Sequence, residues 1–195
     1  MEELAKKEEL VPVFEEGYND QILTRHGQLE NWKHYLADNP RRLAVKQKFP
    51  QLFNAIYNYN IAGQNCQVYG NMFLLDKPEK MAVIVHRAYT DADFEEYKRK
   101  WLEFGEAGGV LVSPAISPRE REVMHIAMER GYSVIFLKEN GFPKLYKPSG
   151  STFDFCANGQ LLMISPWQFH YEKRKITRQQ CLFLNDLAEK IAEDK

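Results

Sequence analysis

The sequence predicts an α/β fold: a mostly parallel sheet of about four or five strands with flanking helices, preceded by a small helical N-terminal segment. Three observations predict it. Short continuous apolar runs, MAVIVH at 81–86, GVLVS at 109–113, SVIFL at 133–137 and LLMIS at 161–165, have the character of strands buried on both faces. Amphipathic runs of helical spacing stand between and after them. Capping signals and glycines punctuate the changes of period, and such alternation builds a parallel sheet with helices on its faces.

In chain order, residues 1–16 are highly charged, with a Val11-Pro12-Val13-Phe14 patch suited to an extended arm. Leu29, Trp32, Tyr35 and Leu36 put a helix over Gln28 to Asp38, and Pro40 is expected to end it because a residue before proline is pushed out of the helical region. A short segment at 41–53 is interrupted by Pro50. The Asn-rich, aromatic run at 54–67 reads as a connecting loop or the start of a strand, and Gln67 to Leu75 is β-like around Gly70-Asn71. After the MAVIVH strand, Thr90-Asp91-Ala92-Asp93 opens a helix to about Glu106, closed by Gly108-Gly109. Ser117-Pro118-Arg119-Glu120 is a capping box with proline at the first helical position, and its helix ends at Arg130-Gly131. A long loop rich in Gly, Pro, Lys and aromatics runs from Lys138 to about Ser151. Thr177 and Gln180 cap a last helix with Cys181, Leu184, Leu187, Ala188 and Ile191 on one face. Right-handed crossovers join these units into a Rossmann-like domain over 61–195, with 1–60 as the helical N-terminal segment.

Composition narrows the function classes. An apolar fraction of 44% and a charged fraction of 27% are ordinary for a globular chain. A net charge of −1 gives no overall electrostatic footprint of a nucleic-acid binder, so any basic surface is local. Residues 24–48 supply one: Arg25, Lys33, Arg41, Arg42, Lys46 and Lys48 against Glu30 and Asp38. Three widely spaced cysteines argue against a disulfide framework and against a zinc site. The sequence has no membrane-spanning run and no secretory signal, so a cytoplasmic location is expected.

In an open parallel sheet, ligands bind beyond the carboxyl ends of the strands. The loops there carry Arg87, Ser113, Ser117, Arg119 and Lys138 together with the free N–H groups of capped helices, a set suited to a phosphate or another anion. The same serines also serve as plain helix caps, and the cations as solvated charges. Neither GxGxxG nor GxxxxGK[ST] occurs, so no nucleotide fingerprint is present and no cofactor is expected. The loop GFPKLYKPSG at 141–150 interleaves Lys144 and Lys147 with Phe142 and Tyr146. Such a loop either stacks bases and tracks phosphates or tucks its aromatics into the core. Phe153, Phe155, Trp167, Phe169 and Tyr171 read as core and rim packing. The five histidines are scattered, and no metal site is expected.

The stretch Gly17 to Leu43, GYNDQILTRHGQLENWKHYLADNPRRL, resembles the C-terminal segment of single-tyrosine HUH transposases, in particular the REP-associated tyrosine transposases. In those enzymes a phenolate attacks a DNA phosphate polarised by a metal held on a His-hydrophobic-His pair. By position in HYLADNP the resemblance makes Tyr35 the nucleophile, with Tyr18 as a second candidate. It also implies phosphate contacts from Arg25, Arg41, Arg42 and Lys46, and base stacking by Trp32 or Tyr35. No His-x-His occurs in this chain, whereas metal polarisation of the phosphate is part of that mechanism. The remainder is similar to the extra C-terminal domain of some transposases of that group. Within it, Gly109 to Ser165 resembles the DNA-processing protein A and lysine-decarboxylase-like group of Rossmann folds, without the PGGxGTxxE motif or the SGS/T-rich loop.

The resulting expectation is a DNA-binding or accessory module of a transposase-like protein, lacking the metal site and not catalytically active alone. Its partner would be single-stranded or hairpin DNA. The alternative is a small Rossmann-like protein that binds a nucleotide or phosphorylated metabolite at the strand ends. A third reading is a protein–protein module docking through the helix at 28–38, and an apolar patch on the N-terminal segment would drive self-association.

Overall fold

The computed structural model describes residues 26–172 and 174–194. The chain divides between Arg42 and Leu43 into two compact units. Arg25, Tyr18 and the Val11–Phe14 patch lie outside the described residues.

The α/β expectation holds, with six strands rather than four or five. The sheet order is β1-β2-β6-β5-β4-β3. The strands are β1 (Ala55–Ile61), β2 (Gln64–Gly70), β3 (Lys80–Ala82), β4 (Val110–Ser113), β5 (Ser133–Leu137) and β6 (Leu161–Ser165). The four runs read as buried strands are β3 to β6, parallel and in sequence order. The two additional strands form an antiparallel hairpin, and β2 pairs antiparallel with β6. Of the two readings of the run at 54–67, a connecting loop or the start of a strand, the strand is the one that holds. Ala62 and Gly63 make its two-residue turn with φ of 48° and 79°, the geometry that matches the twist of a tight hairpin.

The helices are α1 (Gln28–Lys48), α2 (Asp91–Glu106), α3 (Pro118–Glu129), α4 (Gly150–Ala157) and α5 (Arg178–Glu193). Thr90, Ser117 and Thr177 cap α2, α3 and α5, each in a reciprocal box with the residue three positions on. One boundary departs from expectation: α1 continues through Pro40 to Lys48. Proline withholds one hydrogen bond from the carbonyl of Leu36. Leu36 itself is exposed, and the helix continues without that bond. Asp38 braces the turn by accepting from both Arg41 and Arg42 at 2.5 Å.

Alternation along each strand sends side chains to two cores. Leu111, Val134, Leu161 and Met163 face α2, α3 and α4, where Phe94, Trp101, Val123, Met124 and Cys156 complete one layer. Val110, Val112, Ile135, Leu162 and Ile164 face Leu184, Leu187, Ala188 and Ile191 of α5. β3 is shorter than the run at 81–86 suggests because side chains replace its ladder. Ser113 Oγ donates to the Val83 carbonyl at 2.7 Å, and the Val85 N–H donates to Glu120 Oε1 at 2.9 Å. Among the described residues no helix is long and apolar enough to cross a membrane.

Cys66 and Cys156 lie in the two cores, and burial pushes their thiols up to about 11 and about 12. Cys181 is half-buried. The thiolate is the reactive species. A disulfide reagent at neutral pH is accordingly expected to modify one thiol of the native protein rapidly and all three only after denaturation; early modification of Cys66 or Cys156 would contradict this packing.

Candidate nucleic-acid interface

Connections leaving the sheet determine where a ligand can lie. β3, β4 and β5 each lead to a helix on one face, whereas β6 leads to α5 on the other. The segments after β5 (138–149) and after β6 (166–177) therefore diverge, and divergence at the carboxyl ends of adjacent parallel strands opens a crevice. It has a volume of about 970 Å³ and is lined by Glu139 and Asn140 on one side and by residues from Trp167 to Gln180 on the other. A second groove of about 870 Å³ adjoins it, sharing Gln168, Phe169 and Tyr171 and adding Tyr57, Phe142 and Lys144. Its wall is the β1–β2 hairpin. Because Gln67 pairs with Ser165 at the end of β6, the hairpin tip projects past the sheet edge.

A set of amide hydrogen bonds holds the two diverging segments together. Gln67 is only 3% exposed. Its Oε1 accepts the Phe142 N–H at 2.7 Å, and its Nε2 donates to Gln168 Oε1 at 2.8 Å. Asn140 donates to the His170 carbonyl at 2.8 Å and accepts the His170 N–H at 3.0 Å. Tyr57 ties the hairpin to the same place through its hydroxyl, which donates to the Pro143 carbonyl at 3.0 Å. Gly141 sits where these bonds converge. A Cβ there would stand 2.4 Å from Gln67 Oε1 and 2.6 Å from both the Phe169 nitrogen and the Trp167 oxygen.

Above this floor the lining is aromatic and cationic. Phe169 and Tyr171 meet edge to face at 4.8 Å, and Tyr171 is 90% exposed. Lys144, Arg174 and Lys175 stand exposed around them. Arg174 pairs with Glu172 at 2.7 Å, and this guanidinium holds the Glu172 carboxyl below its ordinary range. In the loop at 141–150 the aromatics tuck inward, Phe142 and Tyr146 packing on Tyr69 at 6.0 and 4.9 Å, while Lys144 and Lys147 remain in solvent.

The five residues expected to hold a phosphate do not converge on one point. Ser113 is fully buried, its Oγ bonded to Val83 and accepting the Ala115 N–H at 3.0 Å. Ser117 caps α3 by accepting from the Glu120 N–H at 3.1 Å. Arg119 donates to the Tyr89 carbonyl at 3.1 Å, pairs with Asp91, and lies over the Phe94 ring at 5.0 Å. Arg87 is exposed beyond β3, and Lys138, also exposed, borders a separate hollow of about 390 Å³ with Arg121 at the ends of β4 and β5. On α1, Trp32 and Tyr35 meet edge to face at 5.7 Å. Arg41 and Arg42 share the Asp38 carboxylate and draw it down to about 2. Lys46 lies over the rings of Phe53 and Phe153 at 5.9 and 5.8 Å. No group of three metal-ligating side chains occurs among the described residues.

Residue reading alone missed Gln67, Asn140 and Gln168, and treated Phe169 and Tyr171 as packing. The signal was present in SPWQFHYEKRK at 165–175, where Trp167, Phe169 and Tyr171 are followed by Lys173, Arg174 and Lys175.

No protein-family model matches the chain, and no curated protein matches its sequence. Among solved structures it is similar to DNA processing protein A from Helicobacter pylori, a structure concerned with that protein's single-stranded DNA binding mode. The TM-score is 0.50 at 17% identity, over 71% of this chain and 65% of the other. The shared part is thus less than two thirds of that protein, and the likeness is one of fold.

Proposed function

We propose that the α/β unit binds single-stranded DNA in the crevice between the segments that follow β5 and β6. The observation that carries this reading is the composition of that crevice: the half-buried ring of Phe169 and the exposed ring of Tyr171 beside Lys144, Arg174 and Lys175, over a floor of amide groups. Aromatic platforms flanked by cations suit a single strand because every base has a face to stack and every nucleotide a phosphate to neutralise. The DNA-binding neighbour of similar fold supports the same class of ligand.

In its finer form the proposal makes the protein an accessory module of a transposase-like protein. The Gly17 to Leu43 resemblance supports this, with Arg25, Arg41, Arg42 and Lys46 adding phosphate contacts and Trp32 or Tyr35 a stacking face. Tyr35, without a His-x-His metal site in the chain, performs no strand transfer there. The second reading, a nucleotide or phosphorylated metabolite, draws on the hollow bordered by Arg121 and Lys138.

Fluorescence anisotropy with a labelled single-stranded oligonucleotide and a hairpin, at two salt concentrations, tests the proposal. Tyr171→Ala is expected to weaken binding by about 1–3 kcal/mol, the worth of one stacked base. Lys144→Ala with Lys175→Ala is expected to reduce the salt slope by about 1.4, since a single strand releases about 0.7 counterion per phosphate contact. Arg41→Ala with Arg42→Ala reports on the transposase-like form alone. Absence of binding at low salt, with thermal stabilisation by nucleotides instead, would overturn the reading in favour of the second.

A further inference from the structure

Gln168 stands where the two grooves meet, lining both. Its amide polarity follows from its neighbours. The Phe142 N–H is a donor under any assignment, so the Gln67 atom that receives it at 2.7 Å is the oxygen. The other end of the Gln67 amide is then NH2, and the Gln168 atom it meets at 2.8 Å is likewise an oxygen. The chain of bonds leaves Gln168 Nε2 directed elsewhere, with no acceptor among the described residues, on an exposed side chain. A backbone donor on one loop thereby sets a two-hydrogen donor on the next, through a side chain that is 3% exposed and so held in place.

Fixed donors beside stacking rings read base edges. Stacking by Phe169 and Tyr171 is indifferent to sequence, whereas an NH2 group discriminates by pairing with carbonyl oxygens and opposing amino groups. We propose that Gln168 is a specificity-determining residue that selects bases presenting a carbonyl oxygen where cytosine and adenine present an amino group, so that uracil and thymine are favoured over cytosine. This rests on the single-stranded DNA reading given above.

Oligo-deoxyuridine and oligo-deoxycytidine of equal length make the test, at mildly alkaline pH and fixed low salt. They match closely in stacking area and backbone and differ at the base edge: O4 in uracil, an amino group in cytosine. The parent is expected to favour the uridine strand about fivefold, the worth of one net hydrogen bond. Gln168→Glu retains an oxygen for the Gln67 NH2 and presents an acceptor to the groove. Its added charge weakens both strands, but the ratio is expected to reverse, while Gln168→Ala brings it near one. An unchanged melting temperature for Gln168→Glu confirms that the fold is kept. Equal binding of both strands by the parent, or an unaltered ratio in Gln168→Glu, overturns the base-reading role and leaves the single-strand site standing. Binding of neither strand removes both.

Discussion

Glu120→Ala is expected to lower the melting temperature by about 10 °C, through a loss of roughly 3–5 kcal/mol at about 2–4 °C per kcal/mol for a chain of this size. Glu120 is 3% exposed, and its carboxylate accepts three backbone N–H groups: Val85 at 2.9 Å on Oε1, and Ile116 at 2.8 Å and Ser117 at 2.9 Å on Oε2. The negative charge also sits at the N-terminus of α3, where the aligned peptide dipoles favour it. Alanine leaves those donors without their acceptor, at about 1–3 kcal/mol for each that stays buried, and the values are not strictly additive. Glu120→Gln should fall between. Its oxygen can serve Ile116 and Ser117 while its NH2 opposes the Val85 N–H, so about one such penalty remains. Thermal unfolding of the three proteins checks the order, and a Glu120→Ala protein as stable as the parent would contradict it. Glu120 joins the end of β3 to the β4–α3 connection, away from the β5–β6 crevice. DNA affinity of the folded protein is accordingly expected to survive the change.

Gly141→Ala is expected to strike both stability and the site. A methyl group at 141 would lie 2.4–2.6 Å from Gln67 Oε1, the Phe169 nitrogen and the Trp167 oxygen. Two of the three are backbone atoms on the far side of the crevice, so the methyl fits only if the 166–177 segment moves. Overpacking of this kind costs about 1–3 kcal/mol and occasionally more, and the shift also parts Gln67 from the Phe142 N–H and from Gln168. Loss of single-strand binding beyond the loss of stability is the expected result. Gly63→Ala is the matched control: its φ of 79° is left-handed but nothing lies within 4 Å, so the cost is the conformational one of about 1–2 kcal/mol. Equal effects of the two substitutions on DNA affinity would argue that the Gly141 contacts do not organise the crevice.

Particular residues show how far the sequence was legible. Thr90, Ser117 and Thr177 announced three helices because capping is local: donor and acceptor lie three positions apart. The runs of β4 to β6 were legible because a strand buried on both faces has to be apolar throughout. Pro40 misled, since the rule that proline ends helices weighs the lost bond without the Asp38 pairing around it. The β1–β2 hairpin was obscured because Ala62-Gly63 is a weak turn signal and β1 is half exposed, so Asn58 and Asn60 dilute its pattern. Ser113 and Ser117 looked available for a phosphate. Only the fold revealed that their hydroxyls are bonded to backbone.

The sequence by itself determined the α/β class, the parallel succession of buried strands and the helix boundaries set by caps, because these depend on periodicity and on contacts within a few residues. The crevice was decided by tertiary structure alone. It arises because β5 leads to one face and β6 to the other, and because residues as far apart as Gln67, Asn140 and Gln168 meet across that divergence. No local pattern encodes such a meeting: its hydrogen bonds span 30 to 101 positions and exist only once the sheet has brought its strands into order.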